Sequence, residues 1–164
     1  IEVDVIILAT GFDAMAGGVN SIEISNGLGT LKEKWRYGPR TYLGLMSHGF
    51  PNLFMITGPQ SPSVLSNMMV SIEDHVDWVS EALKDLTASG QTRIEPAADA
   101  EENWVHTTND LANMTLMPQA NSWYMGANIP GKERVFMPFI GGVDTYAQII
   151  AGIRVANYHG FEFG

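Results

Sequence analysis

The side chains with the most obvious chemistry are dispersed along the chain. Histidines stand at 48, 75, 106 and 159, no two of them at a metal-ligand spacing, so no metal centre is expected. His75 and Asp77 fall inside a helical pattern and read as its polar face. Ser63 and Ser66 lie in a loop rich in glycine, proline and serine, without the G-x-S-x-G elbow that would raise a serine nucleophile above a sheet. Glu101 and Glu102 read as a solvated helix face. Gly141-Gly142 stands before a helix, where bare N–H groups could meet an anion, although such a pair more often makes a tight turn. The absence of cysteine removes disulfides, thiolate zinc sites and thiol nucleophiles. Nine methionines read as core filling.

Composition narrows the class further. The chain has 164 residues, enough for one domain, with 45% hydrophobic and 16% charged residues. Those fractions suit a globular chain and exclude collagen-like and broadly disordered classes. Eighteen acidic against nine basic residues give a charge of −9, which argues against a nucleic-acid surface. No apolar run approaches the roughly 18–20 residues that a membrane-spanning helix needs. The opening carries no positively charged leader, and with no cysteine a cytoplasmic protein is expected.

The elements that must position any site follow from periodicity. Ile1-Glu2-Val3-Asp4-Val5-Ile6-Ile7-Leu8-Ala9-Thr10-Gly11 reads as a strand buried on both faces of a parallel sheet. Such a strand needs neighbours that little downstream supplies, so the chain reads as a piece of a longer protein. Ser21–Ile24 alternates like a half-exposed strand, and Asn26-Gly27-Leu28-Gly29 has hairpin-turn chemistry. Lys32–Trp35 suits one helical turn, and Leu53–Thr57 a strand. A first long helix is expected from Ser71 as N-cap to a stop at Gly90, with Ile72, Val76, Val79, Leu83 and Leu86 inward. A second starts near Pro96 and carries Trp104 and Leu111 to the core. A third runs from about Asp144 to Tyr158, with Tyr146, Ile149, Ile150 and Ile153 inward. The stretch from Met117 to Val143, with three prolines and four glycines, is long enough to read as a functional loop.

Several of these segments resemble one family in order. Val5-Ile6-Ile7-Leu8-Ala9-Thr10-Gly11-Phe12-Asp13 is similar to the second Ala-Thr-Gly motif of flavoproteins with two dinucleotide-binding domains. Gly38-Pro39-Arg40-Thr41-Tyr42-Leu43-Gly44, Gly49-Phe50-Pro51-Asn52, Gly58-Pro59-Gln60-Ser61-Pro62 and Ser122-Trp123-Tyr124-Met125-Gly126-Ala127-Asn128-Ile129-Pro130-Gly131-Lys132 resemble the Baeyer–Villiger monooxygenases, class B flavoprotein monooxygenases. The type approached is that of the phenylacetone and cyclohexanone monooxygenases. Ser63-Val64-Leu65-Ser66-Asn67-Met68 resembles the longer active-site loop of the phenylacetone type.

The resemblance implies an α/β fold: the C-terminal third of such an enzyme, a returning half of a Rossmann-like FAD domain with three helices and a long loop. Residues 1–12 would be the last strand and linker of the NADPH-binding domain, and 13–164 the rest, including a mobile loop at 117–132. The implied reaction takes a ketone to an ester or lactone with O2 and NADPH through a flavin peroxide. FAD and NADPH are the implied cofactors, Thr10, Gly11, Met68, Trp123 and Tyr124 the cofactor-binding residues, and Ser63, Val64, Leu65, Met137 and Phe139 the ketone pocket. No catalytic residue is implied within this chain, since the family's active-site arginine lies upstream. The implied partners are the small ketone, O2 and the N-terminal part of the same protein, with neither nucleic acid nor membrane. Two other readings stand beside this one: a class B enzyme that oxidises sulfur or nitrogen, and a stable piece without catalysis of its own.

The family's Gly-x-Gly-x-x-Gly turns, which hold cofactor pyrophosphates at helix N-termini, do not occur in these 164 residues. The chain alone is therefore expected to retain no FAD through gel filtration. A stoichiometric yellow protein peak would contradict this.

Overall fold

The computed structural model describes residues 2–9, 11–62 and 66–164. Short helical turns α1 (Gly17–Asn20) and α2 (Leu31–Lys34) precede three longer helices, α3 (Met68–Ser89), α4 (Ala98–Asn113) and α5 (Val143–Val155). Strand β1 (Ile94–Pro96) pairs antiparallel with β2 (Phe161–Phe163), Ile94 opposite Phe163 and Pro96 opposite Phe161. Two 3-10 turns, Met117–Gln119 and Trp123–Met125, punctuate the long loop.

Local chemistry explains most of the boundaries. Thr30 and Glu33 form a reciprocal capping box on α2, which holds so short a helix. The Asn26–Gly29 turn is closed by an antiparallel bridge between Ser25 and Thr30, while Asn26 Oδ1 accepts from Leu28 and Gly29 N–H. Asn67 caps α3 through Met69 N–H, one turn earlier than the expected Ser71, because Asn67 alone stands free of the helix. Gly90, left-handed at φ 71°, ends α3 as expected. Helix α5 stops at Val155, three residues short of the expected end.

Three expected strands are absent among the described residues. Residues 2–9 carry no regular structure, and Ile6, Ile7 and Leu8 are 75%, 84% and 82% exposed. A strand buried on both faces needs a neighbour on each side, and the described residues offer none. Ser21–Ile24 and Leu53–Thr57 are also irregular. The only sheet among the described residues is the antiparallel pair, whose three-residue strands are too short to signal their period. Among these residues no helix is long and apolar enough to cross a membrane.

Helices α3 and α5 lie side by side and parallel. His75 meets Tyr146, Trp78 donates to Ile150 O at 3.1 Å, Glu81 pairs with Arg154, and Tyr158 donates to Asp85 at 2.5 Å, so contacts climb both helices together. With Trp104 of α4, Phe139 and Phe161 they close the main core over residues 42–46. The buried stripe of α3 is Ser71, His75, Trp78, Ala82 and Leu86, one residue round from the expected one. Val76 and Leu83 are 46% and 48% exposed. The helix turns its polar His75 inward because it finds two partners there.

His75 is fully buried rather than on a polar face. Its Nδ1 accepts from Thr57 N–H at 2.9 Å and its Nε2 lies 2.6 Å from Tyr146 Oη. Burial pushes the ring down to about 4 from 6.5, a backbone interaction with Met55 only partly opposing. The unfolded ring takes its proton near 6.5 while the folded one refuses it until about 4. Stability present above pH 6.5 is therefore lost as pH falls toward 4, by about 1.4 kcal/mol per pH unit. Urea midpoints between pH 7 and 5 should fall accordingly, and His75→Phe should flatten that part of the profile.

Candidate functional site

The segment from Gly58 to Pro62 runs through the core without belonging to helix or sheet, so its polar groups need individual partners. Gln60, 1% exposed, supplies most of them. Its N–H donates to Met137 O at 2.6 Å and its carbonyl accepts from Trp104 Nε1 at 3.0 Å. Its Oε1 accepts from Thr41 N–H at 2.8 Å, and its Nε2 donates to Pro39 O at 3.2 Å. The Thr41 hydroxyl accepts from Gly44 N–H and donates to Pro59 O at 2.7 Å. Gly44 lets the two segments meet: a Cβ there would lie 2.5 Å from that of Ser61. Downstream, Phe139 N–H donates to Ser61 O at 2.9 Å, and Pro62 forms a parallel bridge with Phe139.

This framework delivers the chain to the amino end of α3, where Met68 is the first helical residue and half-buried. Extending the α3–α5 register by one turn from His75 and Tyr146 sets Ser71 level with Gly142, the N-cap of α5. The two helices thus point their amino ends the same way, with α5 starting about one turn inside the start of α3. Gly142 supplies no side-chain cap to α5. The Ser71 hydroxyl, though fully buried, has no partner among the described residues, and neither has Asp74 Oδ2 one turn on. Burial raises Asp74 above the usual carboxylate range, with Asp77 and Glu73 adding to it. Burial, reinforced by the Asp74 charge, raises Tyr146 well above a normal phenol.

The long loop presents an aromatic pair. Ser122 Oγ accepts from Tyr124 N–H, and Gly126 closes the 3-10 turn in the left-handed region at φ 67°, where a Cβ would be strained. Met125 inserts into a small cluster with Ala112 and Phe136, and Tyr124 O accepts from Met137 N–H at 3.1 Å. The anchored turn holds the half-buried Trp123 and Tyr124 with ring centroids 4.0 Å apart. Farther on, the Lys132 ammonium pairs with Asp13, and Asn128 donates to Phe12 O at 2.9 Å. The loop thereby meets the segment that follows the Ala-Thr-Gly motif.

The expected site residues are not one cluster. Thr10, Ser63, Val64 and Leu65 lie outside the described residues. Gly11 is exposed and left-handed at φ 79°, with nothing near a notional Cβ. Met137 and Phe139, expected to line a ketone pocket, are 2% and 4% exposed. Phe139 stacks on Trp104 at 5.2 Å, so its side chain serves the core and its backbone serves the Pro62 segment. Among the described residues no group of three or more His, Asp or Glu could hold a metal.

Sequence reasoning missed three groups. Gln60 and His75 carried no signal beyond their neighbours. Glu101 is not solvated: at 4% exposure it accepts from Ser47 Oγ at 3.0 Å and His48 N–H at 2.8 Å, and pairs with Lys34 at 2.8 Å. Burial lowers the Lys34 ammonium and Glu101 opposes that shift. The acid is buried because the turn at 47–48 needs an acceptor.

Replacing Gln60 with methionine keeps its size and leaves Thr41 N–H and Pro39 O unpaired. The expected loss is roughly 2–5 kcal/mol in urea unfolding. A loss under about 1 kcal/mol would remove Gln60 from its central place.

No protein-family model matches the chain. It is 43% identical over 162 residues to acetone monooxygenase (methyl acetate-forming) of Gordonia sp., covering 98% of this chain and 30% of that protein. It is 39% identical over 158 residues to a Baeyer-Villiger monooxygenase of Pseudooceanicola batsensis, covering 96% and 29%. Phenazine N-monooxygenase of Lysobacter antibioticus is 36% identical over 161 residues, covering 98% and 29%. Among solved structures, cyclohexanone monooxygenase of Rhodococcus sp. Phi1 bound to NADP+ superposes with a TM-score of 0.90 at 39% identity, over 94% of this chain and 29% of that one. OTEMO in complex with FAD and NADP superposes at 0.91 with 33% identity, over 100% and 30%. The chain spans about 30% of the length of the relatives it matches. In sequence and fold alike it corresponds to a C-terminal part of the Baeyer–Villiger monooxygenases, and it belongs to that family.

Proposed function

We propose that the chain is the C-terminal part of an FAD- and NADPH-dependent enzyme that oxidises ketones to esters or lactones with O2. The observation that carries this reading is the 43% identity, over 98% of this chain, to acetone monooxygenase (methyl acetate-forming). Residues 1–12 complete the NADPH-binding domain. Residues 13–164 form the returning half of a Rossmann-like FAD domain, with the loop at 117–132 moving over NADP. The rest of the same polypeptide is the partner, and it supplies the active-site arginine.

The residues present fit an electron-rich cofactor edge. The amino end of α5, which no side chain caps, favours an acceptor with negative character. Bound FAD supplies the activation of O2 from which one oxygen atom goes to the ketone. The chain's own residues bind, orient and exclude water. Met68 stands at the flavin edge, and Thr10 and Gly11 contribute to cofactor binding. Ser63, Val64, Leu65, Met137 and Phe139 contribute to the ketone pocket, the valine and leucine supplying apolar surface. Trp123 brings apolar area and one N–H donor to the nicotinamide half of NADP, with the Tyr124 ring tilted against it. A dry site matters because water and loose protons divert reduced oxygen to hydrogen peroxide.

Oxidation at nitrogen is the second reading, favoured by the phenazine N-monooxygenase at 36% identity. The full-length, FAD-loaded protein distinguishes the two. Ketone-stimulated NADPH consumption with ester or lactone formation supports the first, and N-oxide formation from amines without ester supports the second. NADPH-independent protein with neither product overturns both. In the same protein, Trp123→Ala should weaken NADP+ retention at least tenfold and raise peroxide release per NADPH. Unchanged affinity and unchanged peroxide release would remove Trp123 from the cofactor site.

A further inference from the structure

The hydrogen bonds around His75 have only one possible direction. Thr57 N–H is an obligate donor, so the Nδ1 it meets must carry a lone pair. The neutral ring then holds its proton on Nε2 and donates to Tyr146 Oη, and the phenol in turn donates to Leu43 O at 2.5 Å. The chain of bonds crosses four segments: the turn at 57, α3, α5 and the turn at 43. Both ends fall on left-handed non-glycine residues, Thr57 at φ 52° and Leu43 at φ 60°. Such residues persist only where their surroundings over-determine them. Thr57 directly precedes the Gly58–Pro62 segment, and His75 lies two helical turns beyond Met68 on α3.

We propose that His75 and Tyr146 are positioning residues of the oxidation site. Their one-way hydrogen-bond chain locks the strained turns at Leu43 and Thr57 to α3 and α5, and so fixes the Gly58–Pro62 segment against the helix end that carries Met68. This rests on the reading of Met68 as a flavin-edge residue. Neither side chain needs to touch substrate or cofactor. Three of the groups involved, Leu43, His75 and Tyr146, are fully buried, so a lost link leaves a buried partner unpaired.

Tyr146→Phe in the full-length, FAD-loaded protein removes the hydroxyl and keeps the ring. Trp78→Phe is its control, since it deletes another buried α3–α5 hydrogen bond, to Ile150 O, that reaches neither strained turn. Both variants should melt at lower temperature. Well below melting, Tyr146→Phe should raise peroxide released per NADPH at least threefold, change flavin reduction by NADPH less than twofold, and speed amide exchange in the peptide spanning Thr57 at least tenfold. Trp78→Phe should leave all three near wild type. If Tyr146→Phe fails to load FAD, His75→Gln serves, because its amide can still donate to Tyr146 while Thr57 loses its acceptor, and the same three shifts are expected. Coupling unchanged in these variants, or disturbed equally by Trp78→Phe, overturns the proposal. A wild type that makes no ester or lactone overturns the functional reading instead, and this inference with it.

Discussion

A loop that crosses a core has no ladder of its own, so each buried N–H and carbonyl must be met by a side chain. That constraint organises this chain. Residues 41–47 and 58–62 are buried throughout and almost without regular pairing. Gln60 and Thr41 bind them to each other, and Glu101 serves the turn at 47–48. The three buried tryptophans each donate to a backbone carbonyl: Trp35 to Arg40, Trp78 to Ile150 and Trp104 to Gln60. Their rings fill volume while their N–H groups satisfy backbone, a pairing that aliphatic side chains cannot offer.

This division of labour explains where the polar residues of the core lie. His75, Gln60, Thr41, Thr108 and Glu101 are all under 5% exposed, and each answers a specific backbone or hydroxyl group. A core built this way is specific rather than merely apolar. Substituting one member leaves its partners unpaired in a medium where water cannot reach them. The left-handed backbone at Leu43, Thr57 and Gln60 is the visible cost of routing loops through the interior.

Long-range satisfaction of this kind is the part that sequence reading misses. Helices α4 and α5 and the stop at Gly90 were legible because their signals are local: apolar spacing and a C-cap glycine. The buried stripe of α3 was not. Ile72, Val76, Val79 and Leu83 make the better apolar pattern, yet the helix turns His75 and Trp78 inward toward partners on α5 and the turn at 57, and Ser71 goes inward with them. Periodicity records hydrophobicity and is blind to a histidine with two waiting hydrogen-bond partners. The opening strand expected from Ile1 to Gly11 is not formed at residues 2–9 for the complementary reason, since strand formation needs neighbours. The Trp123–Met125 turn is marked in the sequence by the Ser122–Lys132 motif around it. The Ser71 hydroxyl and the Gln60 hub emerge only from the packing of distant segments.

The antiparallel pair of β1 and β2 sets a timetable for biosynthesis. Phe161–Phe163 closes on Ile94–Pro96, and the Gly164 carbonyl receives N–H groups from Thr92 and Arg93. Phe161 also packs against Tyr42 and Trp78. The core around Trp78 therefore cannot close until the ribosome has released residues some eighty positions later. At about 5–20 residues per second this delay lasts on the order of 4–16 s. Throughout it, the face of α3 that α5 and Phe161 will cover stands exposed beside an already apolar outer stripe. Nascent chains in that interval are the form most in need of a chaperone.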